Sequence, residues 1–295
     1  MTSFLLAGTF GSQLDVWFSG FDLSIFQFFG SIQNDILTLI AKIFTAMGST
    51  MYVAMFAILG LIMCFFRRTR KVGFALVFAI IIGTVLTNIL IKPWALRIRP
   101  YNTLQGNADY WAWYIGAGML SESDYCFPSG HTTGATEIAL ALLLCHAASK
   151  RKSARGFSWI FPVVAVLTGA SRVYLMVHYA SDVLAGFVIG TVAGIIGYFL
   201  SKLVCLIFRK DRSEEGRMAM KRNLRGGAVL MLVLAWLCMF TVSFLHVMNS
   251  GGEDAIRCSY NGDYNCQNEA QTDSKYPPID GEYYCKIHWR ELSGQ

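Results

Sequence analysis

Charged side chains are scarce in this sequence of 295 residues. Only 15% of them are Asp, Glu, Lys or Arg, while 54% are hydrophobic and the mean hydropathy is +0.44. Because soluble domains carry about 25% charged residues, this composition excludes an ordinary water-soluble fold. Apolar runs near the roughly 20 residues needed to cross a bilayer recur along the chain. The sequence therefore predicts an all-α bundle of membrane-spanning helices.

Other common signals are absent as well. No basic segment precedes the apolar residues at the N-terminus, so a cleaved signal peptide is not expected. No internal repeat or low-complexity segment interrupts the chain. The composition shifts at one place, where a polar tail follows the last apolar run.

About six transmembrane helices are predicted, and the basic residues set their orientation. Three loops that would lie on one side hold 15 of the 25 Lys and Arg residues, which predicts that this side is cytoplasmic. The net charge of +6 is then explained by topology, and no nucleic-acid partner is expected. The predicted crossings span 49–66, 72–92, 131–149, 157–176, 180–207 and 226–248, and the basic loops span 67–71, 150–155 and 209–225.

The chain is predicted to divide into four parts. Apolar residues at helical spacing from Phe21 to Ile43 indicate amphipathic helices that lie in the membrane interface. A seventh crossing through 21–45 is the alternative. The four parts are residues 1–48 with the interfacial helices, a membrane core at 49–207, a cytoplasmic loop with an extra transmembrane helix at 208–248, and an exoplasmic tail at 249–295.

Four cysteines fall on the predicted exoplasmic side, at Cys126, Cys258, Cys266 and Cys285. An even number of cysteines in an oxidising compartment predicts two disulfides. Because three of the four lie in the tail, full pairing would link Cys126 to the tail. The tail is too short for a core of its own, so it is expected to be a small disulfide-tied cap that acts as a lid.

Polar residues gather at the exoplasmic ends of the predicted crossings. Lys92, Arg99 and Arg172 bring three positive charges to one depth, as recognition of a phosphate group requires. Ser129 and Gly130 open a helix whose free N–H groups favour an anion. Clusters of charge near a membrane core are usually functional. This rim is therefore the predicted anion-binding site.

Two histidines lie at the same rim. His178 and Asp182 are four residues apart, so the carboxylate can accept a hydrogen bond from one ring nitrogen and make the other the better nucleophile. His131 supplies a second imidazole that is suited to protonating a departing oxygen. Plainer alternatives are a structural His–Asp pair and a helix-start histidine. Arg97 is expected to be an interfacial anchor.

These segments resemble the signature of the type 2 phosphatidic acid phosphatase superfamily of integral membrane lipid phosphatases. The family pattern K-x6-R-P fits residues 92–100, P-S-G-H fits residues 128–131, and S-R-x5-H-x3-D fits residues 171–182. No motif position departs from the pattern. The resemblance covers about residues 45–207 and leaves the sixth predicted crossing and the tail outside.

The resemblance implies a role for each motif residue. His178 would attack phosphorus and form a phosphohistidine, Asp182 would orient it, and His131 would protonate the leaving group and then activate water. The family needs no metal, and since no ligand cluster is recognised near the rim, no metal or other cofactor is expected. The phosphoryl oxygens would be held by Lys92, Arg99, Ser129, Gly130 and Arg172.

The sequence is therefore interpreted as a phosphatase in the plasma membrane, with its site on the exoplasmic face. Its substrate would be a polyprenyl diphosphate, such as undecaprenyl diphosphate, or a phosphatidic acid, and the compact core favours the diphosphate. A catalytically silent lipid-binding or lipid-flipping protein and a lipid phosphotransferase are the alternatives. The expected partners are the lipid substrate and the bilayer, and no protein partner is evident.

Overall fold

A computed structural model describes residues 8–147, 158–207, 237, 240–248, 256–262, 265–272 and 275–294. Its long regular elements are helices, and no strand occurs among these residues, which confirms the predicted all-α class. The helices are α1 (Phe10–Ser31), α2 (Asp35–Ala46), α3 (Thr50–Phe65), α4 (Arg70–Thr84), α5 (Ala108–Gly116), α6 (Gly130–Ala147), α7 (Ile160–Tyr174), α8 (Ala180–Ile207) and α9 (Lys286–Ser293).

Three helical stretches within the described ranges are long and apolar enough to cross a membrane, namely Asp35–Phe65, Arg70–Thr103 and Ala180–Leu206. Helix α7 is apolar but shorter. Helix α6 also matches a predicted crossing, yet its first turns carry buried polar residues such as Thr133 and Glu137. A helix enclosed by other helices needs no apolar surface toward lipid, which explains this polarity. The number of crossings stays a prediction.

Helices α4, α6 and α8 pack together at the centre, with α3 against α4 and α7 against α6 and α2. Helix α8 approaches the start of α6 closely because it presents glycine there. A Cβ atom on Gly186 would lie 2.8 Å from the Ser129 carbonyl oxygen, and one on Gly190 would lie 2.6 Å from Thr136 Cβ. This approach lets the Ser129 N–H donate to the carbonyl oxygen of Asp182 at 3.1 Å.

Large apolar side chains cover the outer faces of the bundle. Val188 and Phe199 of α8 are 65% and 59% exposed, and Val163 and Val166 of α7 are each 57% exposed. An exposed apolar surface this extensive would promote aggregation in water, whereas contact with lipid tails requires such a surface. The surface is therefore consistent with the membrane class that the composition predicts.

The N-terminal segment forms two helices rather than one. The helix is interrupted at residues 32–34, where the Asn34 side chain caps α2 by accepting a hydrogen bond from the Leu37 N–H at 3.0 Å. In α1, Val16 and Trp17 are exposed while Asp22 is buried. The basic loops at 150–155 and 209–225, and most of the crossing at 226–248, lie outside the described residues.

Candidate active site

Two of the predicted phosphate-binding cations are positioned by the end of α4. The helix continues through residues 85–95 and ends at Leu96, whose left-handed backbone (φ 53°) turns the chain back. Lys92 and Arg99 consequently meet at Asp124. Lys92 Nζ lies 2.5 Å from Asp124 Oδ2, and Arg99 Nη2 lies 2.5 Å from Oδ1. The two cations thus form one cluster around a single carboxylate.

The third cation, Arg172, lies in the last turn of α7. Its Nη2 forms an ion pair with Glu122 Oε1, and its Nη1 donates to Thr45 Oγ1 at 2.7 Å. Within the described part of the chain, its buried Nε has no hydrogen-bond partner. Arg172, Glu122 and His131 line a cavity of about 240 Å³. Because an unpaired buried donor is costly, a ligand or water is expected to satisfy Nε.

Acidic residues of the loop before α6 neutralise the cationic cluster. Burial alone would raise the pKa of Glu122, but the neighbouring charges, Arg172 foremost, lower that pKa to about 2. Burial likewise opposes ionisation of Asp124, and Lys92 and Arg99 together hold its pKa below the usual range. Both carboxylates are therefore ionised at neutral pH. They occupy the donors that the sequence assigned to phosphoryl oxygens.

His178 is buried in the turn between α7 and α8, where Arg99 Nη1 lies 3.2 Å from its Nε2. Since a guanidinium only donates, Nε2 is assigned as the acceptor and Nδ1 as the protonated nitrogen. Nδ1 lies 3.4 Å from Asp182 Oδ2. Burial and the charge of Arg99 hold the pKa of His178 well below its ordinary value, so the ring is neutral. This tautomer presents a lone pair at Nε2.

Asp182 is held by several donors at once. Its Oδ2 accepts from the Tyr179 N–H at 3.0 Å and from the Cys126 thiol at 2.6 Å. Its Oδ1 lies 2.5 Å from Arg97 Nη1. The Cys126 sulfur also lies 3.4 Å from His178 Nδ1, so the thiol and the imidazole share one carboxylate oxygen. The orientation of His178 therefore depends on groups that the sequence motif does not include.

The P-S-G-H segment begins α6 beside the cations. Ser129 is buried, and its Oγ accepts from Thr132 N at 3.4 Å and from Thr132 Oγ1 at 3.0 Å. A Cβ atom on Gly130 would lie 3.8 Å from Lys92 Nζ, so the backbone here is close to the cationic cluster. His131 is partly buried and lines the cavity. The predicted site residues thus lie near one another, while their catalytic and binding roles stay predictions.

Arg97 is the largest departure from the sequence-based expectation. It is not an interfacial anchor, because its side chain is completely buried. It bonds to Asp15 at 2.8 Å, to Asp22 at 3.0 Å and to Asp182 at 2.5 Å, and its guanidinium stacks 3.8 Å above the Tyr179 ring. The sequence feature that could have predicted this network is Asp22, an acidic residue inside the apolar N-terminal helix, because a buried carboxylate needs a partner.

The structure does not support the predicted disulfides. Cys126, Cys258, Cys266 and Cys285 are all free. Cys126 lies with His178 and Asp182, whereas the three tail cysteines gather around His288. The expected link from Cys126 to the tail is therefore replaced by contacts inside the candidate site. The pairing argument failed because it counted cysteines and left out the histidine.

Comparison of the sequence with protein-family models gives a match over the part of the chain that forms this site. Residues 72–204, which contain every motif position discussed above, match the family model described as the PAP2 superfamily. This match confirms the resemblance to that superfamily inferred from the three motifs.

Two individual proteins with similar sequences are named as enzymes. Phosphatidylglycerophosphatase B of Bacillus subtilis (strain 168) is 33% identical over 147 residues, which are 48% of this chain and 64% of that protein. An undecaprenyl-diphosphatase of Sulfolobus acidocaldarius is 33% identical over 130 residues, covering 43% and 53%. The chain thus spans less than two thirds of the length of either relative.

The solved structure is that of the first transmembrane PAP2 type phosphatidylglycerolphosphate phosphatase from Bacillus subtilis. It superposes with a TM-score of 0.52 and 26% sequence identity, covering 69% of this chain and 94% of that one. The helical arrangement described here is therefore similar to that of a membrane phosphatase.

Proposed function

We propose that this protein is a membrane phosphatase that hydrolyses a phosphomonoester or diphosphate of a lipid through a phosphohistidine intermediate on His178. The observation that carries the proposal is the placement of His178, whose Nε2 lies 3.2 Å from Arg99 and whose Nδ1 lies 3.4 Å from Asp182. A neutral imidazole with one nitrogen oriented by a carboxylate is an activated nucleophile.

The reaction would proceed in two displacements. In the first, the Nε2 lone pair of His178 forms a bond to phosphorus, the bond to the leaving oxygen breaks, and His131 gives its proton to that oxygen. The lipid leaves as an alcohol, or as a monophosphate when the substrate is a diphosphate. In the second, His131 removes a proton from water, the water oxygen bonds to phosphorus, and the N–P bond returns its electron pair to His178. Inorganic phosphate is then released.

Binding of the phosphoryl group would use the three cations and the start of α6. Lys92, Arg99 and Arg172 supply charge, and the Gly130 backbone N–H and the Ser129 hydroxyl supply dipoles that would stabilise the growing negative charge. These cations are paired with carboxylates in the structure. The substrate would take the place of Asp124 and Glu122 on those donors.

The site is proposed to face the exoplasmic side of the plasma membrane. Arg70 begins α4 and belongs to a basic loop, while Lys92 lies 22 residues further along the same helical stretch. A helical rise of 1.5 Å per residue separates them by roughly 33 Å, about the thickness of a hydrocarbon core. Since basic loops stay in the cytoplasm, the Lys92 end would be outside. The four-part division of the chain, with residues 249–295 as an exoplasmic tail, is proposed on the same basis.

The proposed substrate is a polyprenyl diphosphate, with phosphatidic acid as the second lipid to test. Phosphate release should be measured with the full chain in detergent, with undecaprenyl diphosphate and phosphatidic acid in parallel and no added divalent cation. Reaction in ¹⁸O-labelled water should place one labelled oxygen in the released phosphate. Folded protein that releases phosphate from neither lipid would contradict the proposal. Transfer of the phosphoryl group to an added alcohol, without release of inorganic phosphate, would identify a phosphotransferase.

Replacing Asp124 by asparagine should tighten the binding of phosphate-like anions by about tenfold, or about 1.4 kcal/mol. The reason is that Lys92 and Arg99 would lose a competing carboxylate. The Arg99 Nε bond to the backbone oxygen of residue 124, at 2.9 Å, is kept by this substitution. The inhibition constant of orthovanadate measures the change.

The matched control is Asp109→Asn, which alters an exposed aspartate of α5 and should leave the vanadate constant unchanged. Weaker vanadate inhibition in Asp124→Asn would mean that Asp124 organises the cations for the ligand rather than competing with it.

A further inference from the structure

We infer that the tail holds a structural zinc ion, bound by Cys258, Cys266, Cys285 and His288. The sulfur atoms of the three cysteines and one nitrogen of the histidine all lie within 4.8 Å of one another, and all four residues are buried. Three thiolates and an imidazole are a common ligand set of structural zinc sites. This inference is independent of the catalytic proposal.

The distances between the ligand atoms are those of a compact polyhedron. His288 Nδ1 lies 3.3 Å from Cys258 Sγ and 3.4 Å from Cys285 Sγ. In a tetrahedral zinc site with bonds of about 2.0–2.3 Å, neighbouring ligand atoms are separated by roughly 3.5–3.8 Å. A zinc ion would therefore require only small movements of these side chains. With four protein ligands the site is closed, which indicates a structural role.

Three separate stretches of the tail converge on this cluster, and local structure orients them. Cys285 lies immediately before α9 and His288 lies in its first turn, so their spacing of three residues puts both on one face. Cys258 N donates to the Asn268 carbonyl oxygen at 2.9 Å, and Cys266 N donates to that of Tyr260 at 3.1 Å. These bonds bring the remaining two sulfur atoms to the same point.

The surroundings of the cluster also match a metal site. The His288 ring stacks on Tyr260 with ring centres 3.8 Å apart and planes 6° apart, which fixes the ring. Asn268 Nδ2 donates to Cys285 Sγ at 3.4 Å. Donors to ligand atoms and fixed imidazoles are typical of the shell around a bound metal. A single disulfide would use only two of these four residues, whereas a zinc ion would use all four.

The zinc ion would also hold in place Asn268, the residue that connects the tail to the loop after Arg99. Asn268, which contacts Cys285, accepts hydrogen bonds through its Oδ1 from Tyr101 OH at 3.1 Å and from Asn102 Nδ2 at 3.0 Å. Tyr101 and Asn102 follow Arg99 by two and three residues. A short tail with little core needs such a staple to keep its place. The metal would do what the sequence had assigned to disulfides.

The test is metal analysis of the full-length protein, purified in detergent without chelator. We expect about one zinc ion per chain, and we expect Cys285→Ser and Cys266→Ser to lose it. His288→Cys should keep the zinc, because four cysteines also form a tetrahedral site. The matched control is Cys205→Ala in α8, which removes a thiol away from the tail and should keep the zinc as well.

Cobalt substitution keeps the test decisive if a serine variant fails to fold. The wild-type protein reconstituted with Co²⁺ should show thiolate-to-cobalt charge-transfer and tetrahedral d–d bands, and His288→Cys should shift them. Folded wild-type protein that contains no zinc and takes up no Co²⁺ would overturn the inference. A disulfide between two of the tail cysteines in the intact mass of freshly purified protein would overturn it as well.

Discussion

Replacing His178 by alanine should lower kcat for phosphate release by on the order of 10⁴-fold or more, the range found when a catalytic nucleophile is removed. The imidazole Nε2 is the atom that would bond to phosphorus, and its partners Arg99 and Asp182 cannot substitute for it. The substitution removes a buried ring, so folding must be checked by the elution profile and melting curve. Phosphate release from undecaprenyl diphosphate over long incubations measures the residual rate.

The matched control is His146→Ala, which changes a histidine at the far end of α6 from His131 and should keep wild-type kcat. Rapid acid-free quenching with labelled substrate should trap an N-linked phosphoenzyme in the wild type and none in His178→Ala. Phosphate release by folded His178→Ala at more than a tenth of the wild-type rate would exclude His178 as the nucleophile. In that case phosphate release by His131→Ala should be measured as well, to test whether the residual activity depends on His131.

The constellation around His178 was largely predictable because membrane sequences make polar residues conspicuous. Lys92, Arg99, Arg172 and His178 stand out against apolar surroundings, and their order along the chain was enough to predict that they lie at one rim of the membrane. The length of the apolar runs also predicted the bounds of α6 and α8 to within a few residues. These signals are local in sequence, and for that reason they could be recognised.

The partners of these residues were not predictable, since pairing is decided by tertiary structure. Glu122 and Asp124 lie in a loop without Lys or Arg, and nothing local showed which cations they would meet. Cys126 was expected near the rim, but its contact with Asp182 depends on how the loop packs against α8. The same limit applied to the tail, where His288 joins the cysteines only in the folded chain.

The contact between the N-terminal helix and the candidate site is the most consequential of these unpredicted features. Asp22 accepts from the Ser181 N–H at 2.8 Å and from Ser181 Oγ at 2.7 Å, directly beside Asp182. Arg97 joins Asp22 and Asp182 from the other side. One arginine therefore balances carboxylates from α1 and α8, and it holds Asp182, the residue that is proposed to orient His178.

Replacing Arg97 by alanine should lower the free energy of unfolding by about 3–5 kcal/mol, because it leaves Asp22 and Asp182 buried without their cation. The free energy of unfolding of Arg97→Lys should lie between those of the wild type and Arg97→Ala, since one ammonium group cannot reach all the carboxylates that the guanidinium contacts. Thermal unfolding in detergent measures the loss. The control is Arg68→Ala in the exposed turn between α3 and α4, which should change stability by less than about 0.5 kcal/mol. If Arg97→Ala had the same melting temperature as the wild type, Asp22 and Asp182 would have to be neutral in the folded protein. Asp182 could then not orient His178 as an anion.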